Sequence, residues 1–158
     1  INIDRVSLPK GRYYARLQQF AGSGNYSFRI TSDYAGESVA TARDLSDITN
    51  SSRQYFDMVS SFDLPSYLDR LDLYTFSLSE ASPFDAVLAM TTAFPAPTFD
   101  ATLFLAQDTN RSGLIEDSEI IVTSANPGDD NLHFDRLEAG NYVLGVRQNG
   151  AYTSYRLD

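Results

Sequence analysis

The chain has 158 residues and a formal net charge of −9, an acidity that argues against binding to nucleic acid or to an anionic membrane. It contains no cysteine, which excludes disulfides and thiol chemistry, and no apolar run long enough to span a membrane, so no membrane insertion is expected. A hydrophobic content of 42%, with ten tyrosines and ten phenylalanines, favours a folded, β-rich domain over disorder.

The first part of the chain repeats its end. Residues 2–29 align without a gap onto residues 131–158, and both copies predict a turn, a strand, a polar turn and a second strand. The identical pairs are Asn2/Asn131, Leu8/Leu137, Gly11/Gly140, Tyr13/Tyr142, Gln19/Gln148 and Tyr26/Tyr155. We therefore expect residues 1–31 to be the closing β-hairpin of a preceding repeat and residues 33–158 to be one complete repeat. The start at Ile1 indicates a fragment or a processed product.

Short strands follow the linker at residues 32–38 and a polar lead-in that reaches about Gln54. Alternating apolar residues predict strands near residues 55–61, 72–80, 84–91, 101–107, 119–124, 131–137, 141–148 and 152–158. The turns between them are rich in Pro, Gly, Asn and Asp. This pattern predicts an all-β fold, an antiparallel β-sandwich or jelly roll of about eight strands.

Residues 108–119 read DTNRSGLIEDSE and match a twelve-residue calcium loop of the EF-hand type. Gly113 falls at position six, where the chain must turn sharply, and Ile115 falls at position eight as an apolar anchor. The predicted Ca²⁺ ligands are the oxygen donors of Asp108, Asn110, Ser112, Leu114 (its carbonyl), Glu116 and Glu119. The alternative interpretation is an acidic surface turn between two strands.

The segments on both sides of this loop are short, apolar and typical of strands rather than of the helices of an EF-hand. A sensor needs helices that reorient on binding, so we expect a structural calcium ion. A weaker hypothesis places a second calcium site near Asp33 and Glu37, where a helix or turn cap is the alternative.

The residue inventory argues against an enzyme. His133 is the only histidine, and its alternating context predicts an exposed or cross-strand side chain rather than a catalytic base. Five of the ten tyrosines are predicted to face inward, namely Tyr13, Tyr26, Tyr74, Tyr142 and Tyr155. Three others are candidates for a surface that binds an extracellular polysaccharide or protein, namely Tyr34, Tyr67 and Tyr152.

Several segments together resemble the bacterial pre-peptidase C-terminal domain family. They are DRLDLYTFSLSE (69–80), FDATLFL (99–105), TSANPGDD (123–130), LEAGNYVLGVRQ (137–148) and the lead-in DYAGESVATARDL (33–45). The resemblance implies a non-catalytic β-sandwich on a secreted bacterial protein, often beside a peptidase and sometimes linked to calcium or to a substrate such as collagen. The tandem hairpin and the EF-hand-like insertion depart from the family pattern.

Taken together, these features predict a secreted, calcium-stabilised, non-enzymatic repeat of a larger bacterial surface or matrix protein. Its role is expected to be structural or adhesive. Two alternatives remain for the leading hairpin, head-to-tail self-assembly with neighbouring copies of the repeat or simple packing in a longer array. The alternative is a substrate-binding accessory module of a secreted hydrolase that degrades peptides or polysaccharides.

Overall fold

The computed structural model describes residues 12–26, 34–59, 69–91, 100–149 and 153–158. The chain divides into two compact units, Ile1–Ile30 and Thr31–Asp158. Within the described residues there is no α-helix, and none of the elements there is a helix long and apolar enough to cross a membrane.

The second unit contains nine described strands, which we number in chain order. They are β1 (Arg43–Asp47), β2 (Tyr55–Val59), β3 (Leu71–Leu78), β4 (Ser82–Met90), β5 (Ala101–Ala106), β6 (Ile120–Ser124), β7 (Asp130–Leu137), β8 (Gly140–Gln148) and β9 (Thr153–Leu157). A short 3₁₀ turn, Asp117–Glu119, precedes β6. The predicted all-β sandwich is confirmed, with the eight predicted strands in place and β1 in addition.

The strands form two sheets that face each other. The five-stranded sheet has the order β1-β3-β8-β5-β6, and the four-stranded sheet has the order β2-β9-β4-β7. All neighbouring strands pair antiparallel except β1 and β3, which run parallel. The strands β8 and β9 therefore lie inside their sheets, each between two partners.

The main core lies between the two sheets. In β4 the side chains of Phe84, Ala86 and Leu88 are buried and alternate with exposed ones, as the sequence predicts. Tyr74 and Tyr155 are fully buried in the same core.

A second apolar cluster covers the outer face of the five-stranded sheet. Its buried members are Leu73, Phe104, Ala106 and Val143. Because side chains alternate along a strand, Leu73 and Tyr74 point to opposite faces, and β3 is buried on both. The partly buried side chains packed against this cluster are those of Val39, Ala42, Leu71, Ile115 and Ile120.

The leading unit differs from the predicted hairpin wherever it is described. Residues 12–26 contain no strand, and their chain bends at Ala21 and Gly22. Tyr13 is 50% exposed and Tyr26 is 73% exposed, so neither of these tyrosines is buried within this unit. The rest of the predicted hairpin lies outside the described residues, and its role in a preceding repeat stays a prediction.

Candidate metal site

The EF-hand-like loop joins β5 to β6, two paired strands of the five-stranded sheet. Leu105 pairs with Val122 and Ala106 with Ile120, and the Gln107 N–H donates to the Glu119 carbonyl at 3.1 Å. The loop is therefore closed at its base by strand pairing, as the apolar flanks of residues 108–119 predict.

The first half of the loop is organised around the carboxylate of Asp108. Its Oδ1 accepts the Ser112 N–H at 3.0 Å, and its Oδ2 accepts the Gly113 N–H at 3.1 Å. The Asn110 Oδ1 accepts the same Ser112 N–H at 2.8 Å. Gly113 has φ of +79°, a conformation that side chains with a Cβ rarely adopt, which explains the glycine at this loop position.

The carboxylate of Glu119 holds the two ends of the loop together. Its Oε1 accepts the Thr109 N–H at 2.8 Å, the Thr109 hydroxyl at 3.1 Å and the Asn110 N–H at 3.2 Å. Its Oε2 accepts the Glu116 N–H at 3.2 Å. Backbone N–H donors, that of Asn110 first and that of Glu116 next, lower the pKa of Glu119 from 4.5 because they stabilise its charged form.

The remaining predicted ligands lie on the solvent side of the loop. The Asn110 Nδ2 donates to the Glu116 Oε2 at 3.2 Å, and the Ser112 hydroxyl donates to the Leu114 carbonyl at 3.0 Å. Leu114 is 59% exposed, so its apolar side chain contributes little packing and its carbonyl is the group within reach of the other donors.

The predicted apolar anchor of the loop is confirmed. Ile115 packs against the outer cluster of the five-stranded sheet, together with Val39 from the lead-in segment. The lead-in is also joined to the loop by a hydrogen bond, since the Val39 N–H donates to the Gly113 carbonyl at 2.9 Å. The loop and residues 34–42 thus cover one face of the sheet as a joined pair.

The donor set fits a hard cation such as Ca²⁺, because all six predicted ligands offer oxygen. In the described ranges no group of three or more His, Cys, Asp or Glu side chains is placed to hold a metal by itself, so the amide, hydroxyl and carbonyl donors are needed. Glu119 is the ligand that must move. Its Oε1 already accepts three hydrogen bonds, and bidentate binding would exchange these donors for the ion.

The weaker second site is described only in part. Asp33 lies outside the described residues. The Glu37 Oε1 accepts the Arg70 N–H at 3.0 Å, which joins the lead-in segment to the residue before β3.

His133 lies on β7, exposed and directly across from Asp85 on β4, as its alternating context predicts. Its Nδ1 is 2.6 Å from the Asp85 Oδ1, and its Nε2 is 3.2 Å from the Asp135 Oδ1. The hydrogen bond to Asp85 is the main cause that raises the pKa of His133 above 6.5, and Asp135 adds to it. The two carboxylates therefore stabilise the protonated form of the His133 imidazole.

The sequence did not reveal a buried polar network that joins the two sheets. The Tyr74 hydroxyl on β3 lies 3.2 Å from the Asp57 Oδ2 on β2 and 2.8 Å from the Tyr155 hydroxyl on β9. The Tyr155 hydroxyl donates in turn to Asp72 on β3, which is fully buried. Desolvation, followed by the nearby carboxylates, raises the pKa of both tyrosines.

Of the three tyrosines predicted at the surface, Tyr34 is within the described residues, and Tyr67 and Tyr152 lie outside them. Tyr34 is 66% exposed, as predicted. The Arg43 guanidinium lies 4.7 Å from the ring centre of Tyr34 and 4.2 Å from that of Tyr55, within cation–π range of both.

Comparison with known proteins identifies the fold. No family model matches the sequence, and no curated protein matches it. The structure is similar to the pre-peptidase C-terminal domain of a collagenase from Bacillus anthracis, with a TM-score of 0.52 and 16% identity, over 84% of this chain and 98% of that domain. It also matches the periplasmic g-type lysozyme inhibitor PliG of Aeromonas hydrophila, with a TM-score of 0.38 and 12% identity, over 73% of this chain and 95% of that one. The chain has the pre-peptidase C-terminal domain fold, which confirms what its sequence segments resemble.

Proposed function

We propose that residues 33–158 are a calcium-stabilised, non-enzymatic β-sandwich module of a larger secreted bacterial protein, with a structural or adhesive role beside neighbouring copies. The observation that carries this proposal is the connection between β5 and β6. Its six oxygen donors have EF-hand spacing, and hydrogen bonds inside the loop already hold most of them close together.

Electrostatics gives the ion its stabilising effect. Asp108, Glu116, Asp117 and Glu119 place four carboxylates in one short loop. The only arginine within it, Arg111, has φ of +57° at an exposed position. When bound, Ca²⁺ would supply the positive charge that offsets the repulsion between these carboxylates. An acidic chain with a net charge of −9 gains from such compensation.

The contacts of the loop support a structural role rather than a sensing one. The loop is anchored through Ile115 in the outer cluster and through Gly113 on the lead-in segment. An ion that orders the loop would therefore also hold residues 34–42 against the sheet. Both flanking elements are paired strands, which have no counterpart of the helix reorientation in calcium sensors.

The experiment is a thermal unfolding measurement in excess calcium and in excess chelator. With an affinity of about 10⁻⁴–10⁻³ M, typical of extracellular modules, 10 mM calcium should stabilise the protein by about 1.4–2.7 kcal/mol. That free energy corresponds to a rise in Tm of roughly 5–10 °C for a domain of this size.

Glu119→Gln is the test variant and Glu80→Gln is the matched control, because both remove one carboxylate charge. Glu119→Gln should lower the Tm in chelator, since it loses acceptors for backbone N–H groups, and it should also abolish the rise in calcium. Glu80→Gln should keep the full rise. Equal Tm values of the wild type in calcium and in chelator would refute the proposal.

A second candidate function is a substrate-binding accessory module of a secreted hydrolase. It is favoured by the exposed Tyr34 ring, which Arg43 holds beside Tyr55, and by the fold shared with a domain of a collagenase. The domain order of the full-length protein distinguishes the two functions. A linked catalytic domain supports the accessory module, and a series of similar repeats supports the structural role.

A further inference from the structure

Two segments with matching sequences have opposite burial in this structure. In the closing strands Tyr142, Val146 and Tyr155 have exposed fractions of 5%, 0% and 0%. Their counterparts in the leading segment are exposed, with fractions of 50% for Tyr13, 56% for Leu17 and 73% for Tyr26. The leading segment therefore carries the apolar pattern of β8 and β9 without a core that buries it.

We infer that residues 9–29 are the last two strands of a preceding sandwich of the same kind and that they pair as strands inside that sandwich. The positions that the two leading strands would take are those of β8 and β9 in this structure. Here β8 lies between β3 and β5, and β9 lies between β2 and β4. The partner is the preceding repeat, which must leave both of these positions open. This inference deepens the proposed repeat function and does not depend on calcium.

The inward side chains fit such a position. Tyr142, Leu144 and Val146 face the main core from β8, and the leading segment offers Tyr13, Ala15 and Leu17 at the same places. At the place of Tyr155 it offers Tyr26. Because the Tyr155 hydroxyl bonds to buried Asp72, we expect the preceding repeat to present a buried carboxyl group to Tyr26.

One outward position makes the fit specific for the preceding repeat. The counterpart of Arg16 is Gly145, and a Cβ at Gly145 would lie 2.0 Å from the Cζ of Phe104. The Phe104 ring therefore excludes any side chain at this place in β8. Arg16 keeps the leading segment from replacing β8 of its own sandwich or of an identical copy, and it requires a smaller residue at the Phe104 position of the preceding repeat.

The inference is tested by a full-length chain in which residues 138–158 are replaced by a second copy of residues 9–29, which has the same length. One version carries Arg16→Gly in the inserted copy, a second retains arginine, and a third retains arginine together with Phe104→Ala. A shuffled insert is the control. All are measured by circular dichroism and urea denaturation, in calcium and in chelator, so that the result is independent of the calcium proposal.

The glycine version should unfold in one cooperative transition with the β-sheet spectrum of the wild type. The arginine version should lose that transition, and Phe104→Ala should restore it by opening the space that arginine needs. A glycine version that behaves like the shuffled control would overturn the inference. Equal stability of the glycine and arginine versions would overturn the specificity assigned to Arg16.

Discussion

At the scale of single residues, Glu119 links the chemistry of the loop to its structure. It is 6% exposed, and its oxygens accept hydrogen bonds from three residues of the loop, Thr109, Asn110 and Glu116. Hydrogen bonds to a charged acceptor are stronger than those between neutral groups, so the ionised carboxylate stabilises the closed loop even before an ion is considered.

This arrangement predicts a pH dependence of stability in the absence of calcium. The pKa of Glu119 lies below 4.5 in the folded chain and near 4.5 in the unfolded chain. Its stabilising contribution is therefore complete above pH 4.5 and is lost as the pH falls through the folded pKa. Urea denaturation in chelator between pH 7 and pH 3 should show a smaller loss in Glu119→Gln than in the wild type. A loss of stability in Glu119→Gln as large as that of the wild type would contradict this role. The control variant Glu80→Gln should lose as much stability as the wild type.

At the scale of elements, β8 shows why one strand requires a glycine at its centre. Phe104 on β5 pairs with Gly145, and its ring lies over the glycine on the outer face of the sheet. The Arg147 guanidinium lies 5.1 Å from the centre of the same ring. An aromatic ring that covers a glycine compensates for the packing that the missing side chain would provide.

Gly145→Ala should therefore destabilise the protein by about 1–3 kcal/mol, the usual cost of overpacking. Gly140→Ala is the control on the same strand, because a Cβ there would meet its nearest neighbour at 3.4 Å. Urea denaturation of both variants in saturating calcium measures the difference. Equal stability of the two variants would show that the Phe104 ring does not occupy this space.

At the scale of the whole molecule, the two sheets are joined by an apolar core and by the Asp57–Tyr74–Tyr155–Asp72 network. Buried polar networks favour one arrangement of a core because another packing would break their hydrogen bonds. The second unit therefore closes around its own last two strands, and the leading unit presents apolar side chains that this sandwich does not need.

The exposed leading segment predicts the association behaviour of the chain. Deleting residues 1–31 should leave a folded, calcium-responsive sandwich and remove any tendency to polymerise. Arg16→Gly in the full chain should increase association, because it removes the clash with Phe104 of a second copy. Light scattering over a concentration series compares the three proteins. Association of the Arg16→Gly protein no stronger than that of the truncated protein would exclude the leading segment as the connector.

Much of the fold could be predicted because local patterns carry it. The alternation of Phe84, Ala86 and Leu88 predicts a strand, and the structure contains it with these three side chains buried. β1 was missed because Arg43–Asp47 has one apolar residue, Leu45, and becomes a strand by pairing with β3 rather than by its own periodicity. Residues 12–26 show the reverse case. They have the alternating pattern of strands but form none, because an isolated hairpin has no core in which to bury its apolar face.

The sequence by itself determined the class of the fold and the position of the EF-hand-like loop, because two-residue alternation and the spacing of oxygen-bearing residues are local properties of the chain. Only the tertiary structure decided what those segments contact. The hydrogen bond between Val39 and Gly113, the network around Tyr155 and the ring of Phe104 over Gly145 each join residues far apart in sequence. Such contacts depend on how two sheets stack, and no periodicity along one segment contains that information.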